Sequence, residues 1–66
     1  MIQHDWAKEF RDFRQENDLT QKMLAKALHR NIRTIQGVEL GKQIPSCTSR
    51  LRFKALRKLY AEEKVV

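Results

Sequence analysis

The sequence has little of what a disulfide-bonded, secreted or membrane-spanning chain requires. It contains one cysteine, Cys47, one proline and two glycines in 66 residues. A lone cysteine cannot form an internal disulfide or share a zinc site with His4 or His29, so we expect Cys47 to be a small buried residue in a reducing compartment. No run of about 18 apolar residues is present, and no basic-then-apolar order resembles a signal peptide. These absences predict a cytoplasmic protein that does not enter a membrane.

The residue combinations that support catalysis are also missing. The chain shows no nucleophile–base pair, no carboxylate dyad and no glycine loop suited to cradle a phosphate. His4 and His29 have no partner at metal-ligand spacing. We therefore expect no enzymatic activity, no metal, no cofactor and no small-molecule ligand.

The charge is large and unevenly distributed. The net charge is +6, but residues 1–18 carry three basic and five acidic side chains, a net −2. Residues 19–66 carry eleven basic and three acidic side chains, a net +8. This separation of charge predicts a basic surface that binds a polyanion. Charge alone does not distinguish DNA, RNA and an anionic membrane surface.

The apolar spacing predicts four helices and no strands, since alternating β-branched runs are absent. The predicted helices cover about 5–17, 20–28, 31–40 and 46–63. Each is preceded or opened by a residue that favours the N-cap position, namely Asp5, Thr20, Asn31 and Ser46. Because helices this short are unstable alone in water, we predict one compact all-α four-helix domain over residues 1–66. Its core spans 5–60, and its central helix-turn-helix spans about 20–40.

Apolar side chains at helical spacing predict the core. The predicted inner faces are Trp6, Phe10 and Phe13; Met23, Leu24, Ala27 and Leu28; Ile35 and Val38; and Leu51, Ala55, Leu56 and Leu59. The small Ala25 is expected where the second and third helices approach each other. Phe53 and Tyr60 do not lie on the predicted inner face of the fourth helix. The sequence leaves open whether they contact the N-terminal segment or a second copy of the chain.

The stretch from Thr20 to Gly41 and its flanks resembles the helix-turn-helix of lambdoid phage repressors and Cro proteins, which also occurs in xenobiotic-response-element-like bacterial regulators. The matching residues are Arg14, Leu19-Thr20-Gln21, Leu24-Ala25, Leu28, Thr34-Ile35, Val38-Glu39, Gly41-Lys42 and Pro45. The resemblance covers roughly residues 10–46, and core and loop positions match in register. It implies a lambda-repressor-like fold.

The resemblance also implies roles for individual residues. The implied contacts to DNA bases come from Ile32, Arg33, Gln36, Gly37 and Gln21. The implied contacts to phosphates come from Thr20, Gln21, Arg30, Asn31 and Lys42. Arg14 and Glu39 would form an ion pair across the core.

Three residues depart from the family pattern. His29 stands in the turn where the family usually has glycine, so we expect a strained positive φ there. Arg30 occupies a position that is usually apolar, and we expect it to lie along the surface toward phosphate. Gly37 replaces a side chain that commonly reads a base, which shifts specificity onto Arg33 and Gln36.

The function implied by the resemblance is sequence-specific binding of a double-stranded DNA operator by a transcription regulator, of the phage, plasmid or prophage repressor type. The expected binding unit is a homodimer, with residues 40–44 and the fourth helix as contact surfaces. One alternative is an antitoxin-like protein-interaction module on the same scaffold. A second alternative is an RNA or single-strand binder, which would need exposed aromatic residues among basic ones.

Overall fold

The computed structural model describes residues 5–64, and this part of the chain is helical without any strand. The helices are α1 (Trp6–Glu16), α2 (Gln21–Ala27), α3 (Ile32–Glu39) and α4 (Cys47–Lys64). The predicted all-α four-helix fold is therefore confirmed. The observed ends lie within one or two residues of the predicted ones.

All four predicted N-caps are confirmed. In each, a side-chain oxygen accepts a hydrogen bond from a backbone N–H in the first helical turn, where no intrahelical acceptor is available. The acceptor and donor residues are Asp5 and Lys8 at 3.1 Å, Thr20 and Met23 at 3.1 Å, Asn31 and Arg33 at 2.9 Å, and Ser46 and Ser49 at 3.2 Å.

The turn between α2 and α3 depends on His29, whose φ of 55° confirms the expected left-handed conformation. This conformation allows the Arg30 N–H to reach back 2.9 Å to the Ala25 carbonyl. Histidine adopts positive φ at some cost, because its Cβ crowds the backbone. The turn therefore carries local strain that the surrounding contacts offset.

The core joins an aromatic cluster to a layer of aliphatic side chains. Its buried members are Phe10, Phe13, Leu24, Ala25, Leu28, Ile35, Val38 and Phe53. Phe53 of α4 lies at the centre of the aromatic cluster, with its ring centroid 4.5 Å from that of Phe10 and 5.4 Å from that of Phe13. The side chains predicted to face inward from the second and third helices include Leu24, Leu28, Ile35 and Val38, and these four are confirmed in the core.

The inner face of α4 differs from the predicted one. Phe53 is only 1% exposed and Tyr60 is half-buried against Phe13, whereas Leu51 is 64% exposed. The inward side chains are Ser49, Phe53, Leu56 and Tyr60. Of the predicted stripe, Leu56 is confirmed against the core, whereas Leu51, Ala55 and Leu59 are exposed. α4 is turned so that Phe53 and Tyr60 contact the aromatic rings of α1.

Three smaller expectations are also wrong. Met23 and Ala27 are exposed, because α2 inserts only Leu24 and Ala25 into the core, followed by its C-cap residue Leu28. Cys47 is exposed as well. It is the first residue of α4 and precedes the part of that helix that meets the core.

Within residues 5–64, no helix is long and apolar enough to cross a bilayer. The His, Cys, Asp and Glu side chains in the same range form no group of three that could hold a metal ion. His4 lies outside the described residues.

Truncating a side chain on the inner face of α4 should reduce stability much more than truncating one on its outer face. Phe53→Ala should lower the free energy of unfolding by about 3–5 kcal/mol, because it empties the centre of the aromatic cluster. That loss equals most of the stability expected of so small a domain. Leu51→Ala on the opposite face should change it by less than about 0.5 kcal/mol. Thermal and urea unfolding followed by circular dichroism measures both, and equal losses would contradict the observed helix orientation.

Candidate nucleic-acid interface

A buried ion pair fixes the position of α3 relative to α1. Arg14 Nε and Nη2 each lie 2.7 Å from a carboxylate oxygen of Glu39, and Arg14 Nη1 donates to the Leu19 carbonyl at 3.2 Å. The two side chains are 19% and 4% exposed. The hydrogen bond to Glu39 is the main cause that raises the pKa of Arg14; burial opposes it and the charge of Glu39 adds to it. The predicted pairing is confirmed as a bidentate bridge.

Gln21, the first residue of α2, belongs to the same network. Its side-chain nitrogen donates to a Glu39 oxygen at 3.3 Å, and the residue is half-buried. The sequence reasoning placed Gln21 against phosphate and bases. In the structure its amide nitrogen ties the start of α2 to the end of α3, so the contact to Glu39 adds a positioning role that the sequence reasoning missed.

One face of α3 points away from the core. Ile32, Arg33 and Gln36 are exposed and lie along one side of the first two turns, as their spacing requires. In the described part of the chain, the side chains of Arg33 and Gln36 form no hydrogen bond or ion pair. A guanidinium and an amide are therefore presented together, with their hydrogen-bonding groups available to a ligand.

Of the expected phosphate-binding residues, Asn31 directly precedes α3, Lys42 follows its end, and Thr20 precedes α2. Thr20 and Asn31 are exposed, and each uses its side-chain oxygen to cap the helix that follows. Lys42 is exposed beyond the end of α3, and its backbone N–H donates to the Gly37 carbonyl at 2.9 Å. The structure thus places donors near both ends of α3.

Arg30 does not point along the surface as expected. Its Nε donates to Ser49 Oγ at 2.8 Å and its Nη2 to Ser46 Oγ at 3.0 Å. The start of α4 offers the guanidinium two hydroxyl acceptors. Arg30 therefore joins the turn before α3 to α4 and does not extend outward beside Arg33.

Gly37 does not share the exposed face with Arg33 and Gln36. It is buried, and the side chain of Gln43 lies across it. A Cβ built on Gly37 would fall 2.7 Å from Gln43 Cγ, closer than such atoms approach. The expectation that the middle of this helix is bare and open to a base is wrong.

α2 and α3 carry exposed basic side chains and no exposed carboxylate of their own. Glu39 is the sole acidic residue between Leu19 and Ala61, and it is buried against Arg14. The exposed cations of α2, α3 and the loop after α3 are Lys22, Lys26, Arg33 and Lys42. Low local screening by protein carboxylates makes this surface attractive to an anion.

The arginines of α4 mainly support the fold. Arg50 Nε donates to the Pro45 carbonyl at 3.0 Å, and its guanidinium lies 5.8 Å from the centre of the Trp6 ring. Arg52 donates to the Leu28 carbonyl at 3.2 Å, where α2 ends and its last carbonyls lack intrahelical donors. Their positive charge still contributes to the field, but these guanidinium groups are already occupied.

Comparison of the chain with protein-family models, with curated protein sequences and with solved structures finds no match in any of the three. The geometry of α2, α3 and the ion pair therefore carries the functional argument.

The Arg14–Glu39 bridge predicts an asymmetric mutational response. Glu39→Ala should lower the free energy of unfolding by about 3 kcal/mol, because Arg14 is left partly buried without its counterion. Replacing both residues by methionine should cost less than either single alanine change, because no unpaired charge remains. Chemical unfolding of Glu39→Ala, Arg14→Ala and the double methionine variant measures these differences. Glu16→Ala on the exposed side of α1 is the control. A Glu39→Ala protein as stable as the Glu16→Ala protein would refute the bridge.

Proposed function

We propose that the protein binds double-stranded DNA in a sequence-specific manner and regulates transcription, with the exposed face of α3 in the major groove. The observation that carries this proposal is the unengaged pair of Arg33 and Gln36 on one face of a helix whose surroundings are basic. The major groove admits an α-helix, and these two side-chain types suit it chemically. A guanidinium matches the two acceptors of guanine, and an amide matches the donor and acceptor of adenine.

The residues at the two ends of α3 support the same orientation. Asn31 and Lys42 would contact the phosphate backbone on either side of the groove, and Thr20 would contact it from the start of α2. Ile32 lies on the exposed side of the first turn, where it would meet a thymine methyl group. The sole acidic residue between residues 19 and 61, Glu39, is paired with Arg14, so α2 and α3 present no exposed carboxylate of their own to a phosphate backbone.

The proposed binding unit is a homodimer that represses by covering a promoter. Large apolar side chains are exposed beyond α3, namely Leu40, Ile44, Leu51 and Leu59. A small domain with such exposed apolar side chains would gain stability by pairing on a symmetric operator.

The aromatic residues argue against an RNA or single-strand binder. Such proteins stack bases on exposed rings, whereas Phe10, Phe13 and Phe53 are buried and Trp6 and Tyr60 are packed against them. An antitoxin-like module that binds only a protein partner would be recognised by failure to shift duplex DNA.

The first test is selection of bound sequences from a random duplex pool. We expect a palindromic consensus with two half-sites about 10 base pairs apart, centre to centre, because a two-fold dimer places its two α3 helices one DNA turn apart. A consensus without symmetry would refute the dimer, and failure to enrich any sequence would refute sequence-specific recognition.

The second test separates base reading from phosphate contact. Arg33→Ala should weaken operator binding by about 1–3 kcal/mol and relax preference at one base pair, while binding to scrambled duplex barely changes. Lys42→Ala should weaken binding to all sequences and reduce the slope of log affinity against log salt by about one. Both are measured on operator and scrambled duplexes at two or more salt concentrations, with Arg11→Ala on α1 as the control. Equal weakening of both duplexes by Arg33→Ala would make Arg33 a phosphate contact only.

A further inference from the structure

The loop after α3 is anchored on Gly37. The backbone N–H groups of Lys42 and Gln43 both donate to the Gly37 carbonyl, at 2.9 and 3.3 Å. The side chain of Gln43 then folds back over the same glycine, so that its Cγ, Cδ and amide nitrogen occupy the space of a side chain at position 37. Only a residue without a Cβ leaves that space open.

Position 37 is adjacent to the face proposed to enter the groove. Residues four apart in a helix are neighbours on its surface, so position 37 lies beside Arg33, and Gln36 precedes it directly. The Gln43 side chain therefore reaches α3 at the border of the Arg33 and Gln36 surface. In residues 5–64 its amide forms no hydrogen bond, and the residue is exposed.

We propose that Gln43 is a specificity-determining residue, which supplies from the loop the side chain that Gly37 cannot supply from the helix. The inference rests on the proposed function, since it assigns a base contact to the same DNA-binding surface. An amide offers one donor and one acceptor side by side, which is the pattern that adenine presents in the major groove at N6 and N7. Gly37 is the residue that makes room for this arrangement.

The direct test is Gln43→Met, which keeps the length and the packing of the side chain over Gly37 but removes the amide. Selection from a random duplex pool should give the wild-type consensus, except that the base preference at one position per half-site is weakened. The preference for adenine at that position should fall by about 5- to 150-fold, the range expected for a bidentate contact. Affinity for scrambled duplex should be unchanged. Gln15→Met on the exposed side of α1 is the matched control and should leave the consensus intact.

A second variant tests the role of the glycine without changing Gln43. Gly37→Ala places a Cβ where the Gln43 side chain lies, so that side chain must move away. The same adenine preference should be lost, although alanine favours helix and should not lower the melting temperature strongly. The double variant Gly37→Ala/Gln43→Met should show the specificity of either single variant, because both remove one contact.

The outcomes separate this inference from the proposed function. If the wild-type protein selects no consensus, the proposed function fails, and the proposed base contact of Gln43 fails with it. If the wild-type and Gln43→Met proteins select the same consensus, Gln43 only packs against α3, and the inference is overturned while the proposed function stands. Melting curves of all variants identify any loss of binding that comes from unfolding.

Discussion

The bidentate bridge between Arg14 and Glu39 is the constraint on which the rest of the surface depends. α3 has eight residues, too few to be stable without tertiary contacts. The bridge joins its last turn to α1, and Gln21 adds the start of α2 to the same carboxylate. It also neutralises the sole acidic residue between Leu19 and Ala61. One interaction therefore both orients the helix and leaves α2 and α3 without an exposed carboxylate.

Features that depend on local chemistry were predictable from residue type and spacing, whereas the contacts between distant residues were mostly not. The Arg14–Glu39 pair, 25 residues apart, was expected only from the resemblance to the repressor family. Capping by Asp5, Thr20, Asn31 and Ser46 is decided within one turn of helix, so residue type and spacing were sufficient. The orientation of α4 is decided by the rings of α1, which lie about forty residues earlier in the chain. The spacing of leucines in α4 therefore predicted the wrong inner face. The placement of Gln43 over Gly37 likewise required the path of the loop, since nothing in the spacing of these residues indicates that they touch.

The basic residues divide into two groups that composition alone cannot separate. Arginines near the core have their guanidinium groups bound to carbonyls, hydroxyls or carboxylates of the protein, as in Arg14, Arg30 and Arg52. The forked, planar guanidinium suits such multiple contacts better than an ammonium group does. The exposed lysines and Arg33 have no such contacts in residues 5–64. A net charge of +6 thus overstates how many side chains are available to a partner.

The aromatic cluster also sets the time at which the chain can fold during synthesis. Phe53 follows Phe10 by 43 residues, and translation at about 5–20 residues per second separates them by roughly 2 to 9 seconds. Small helical domains fold in microseconds to milliseconds once their contacts can form. The rings of α1 therefore stay uncovered on the nascent chain for far longer than folding takes. For those seconds the emerging helix is a hydrophobic target for chaperones or for aggregation, until α4 leaves the ribosome.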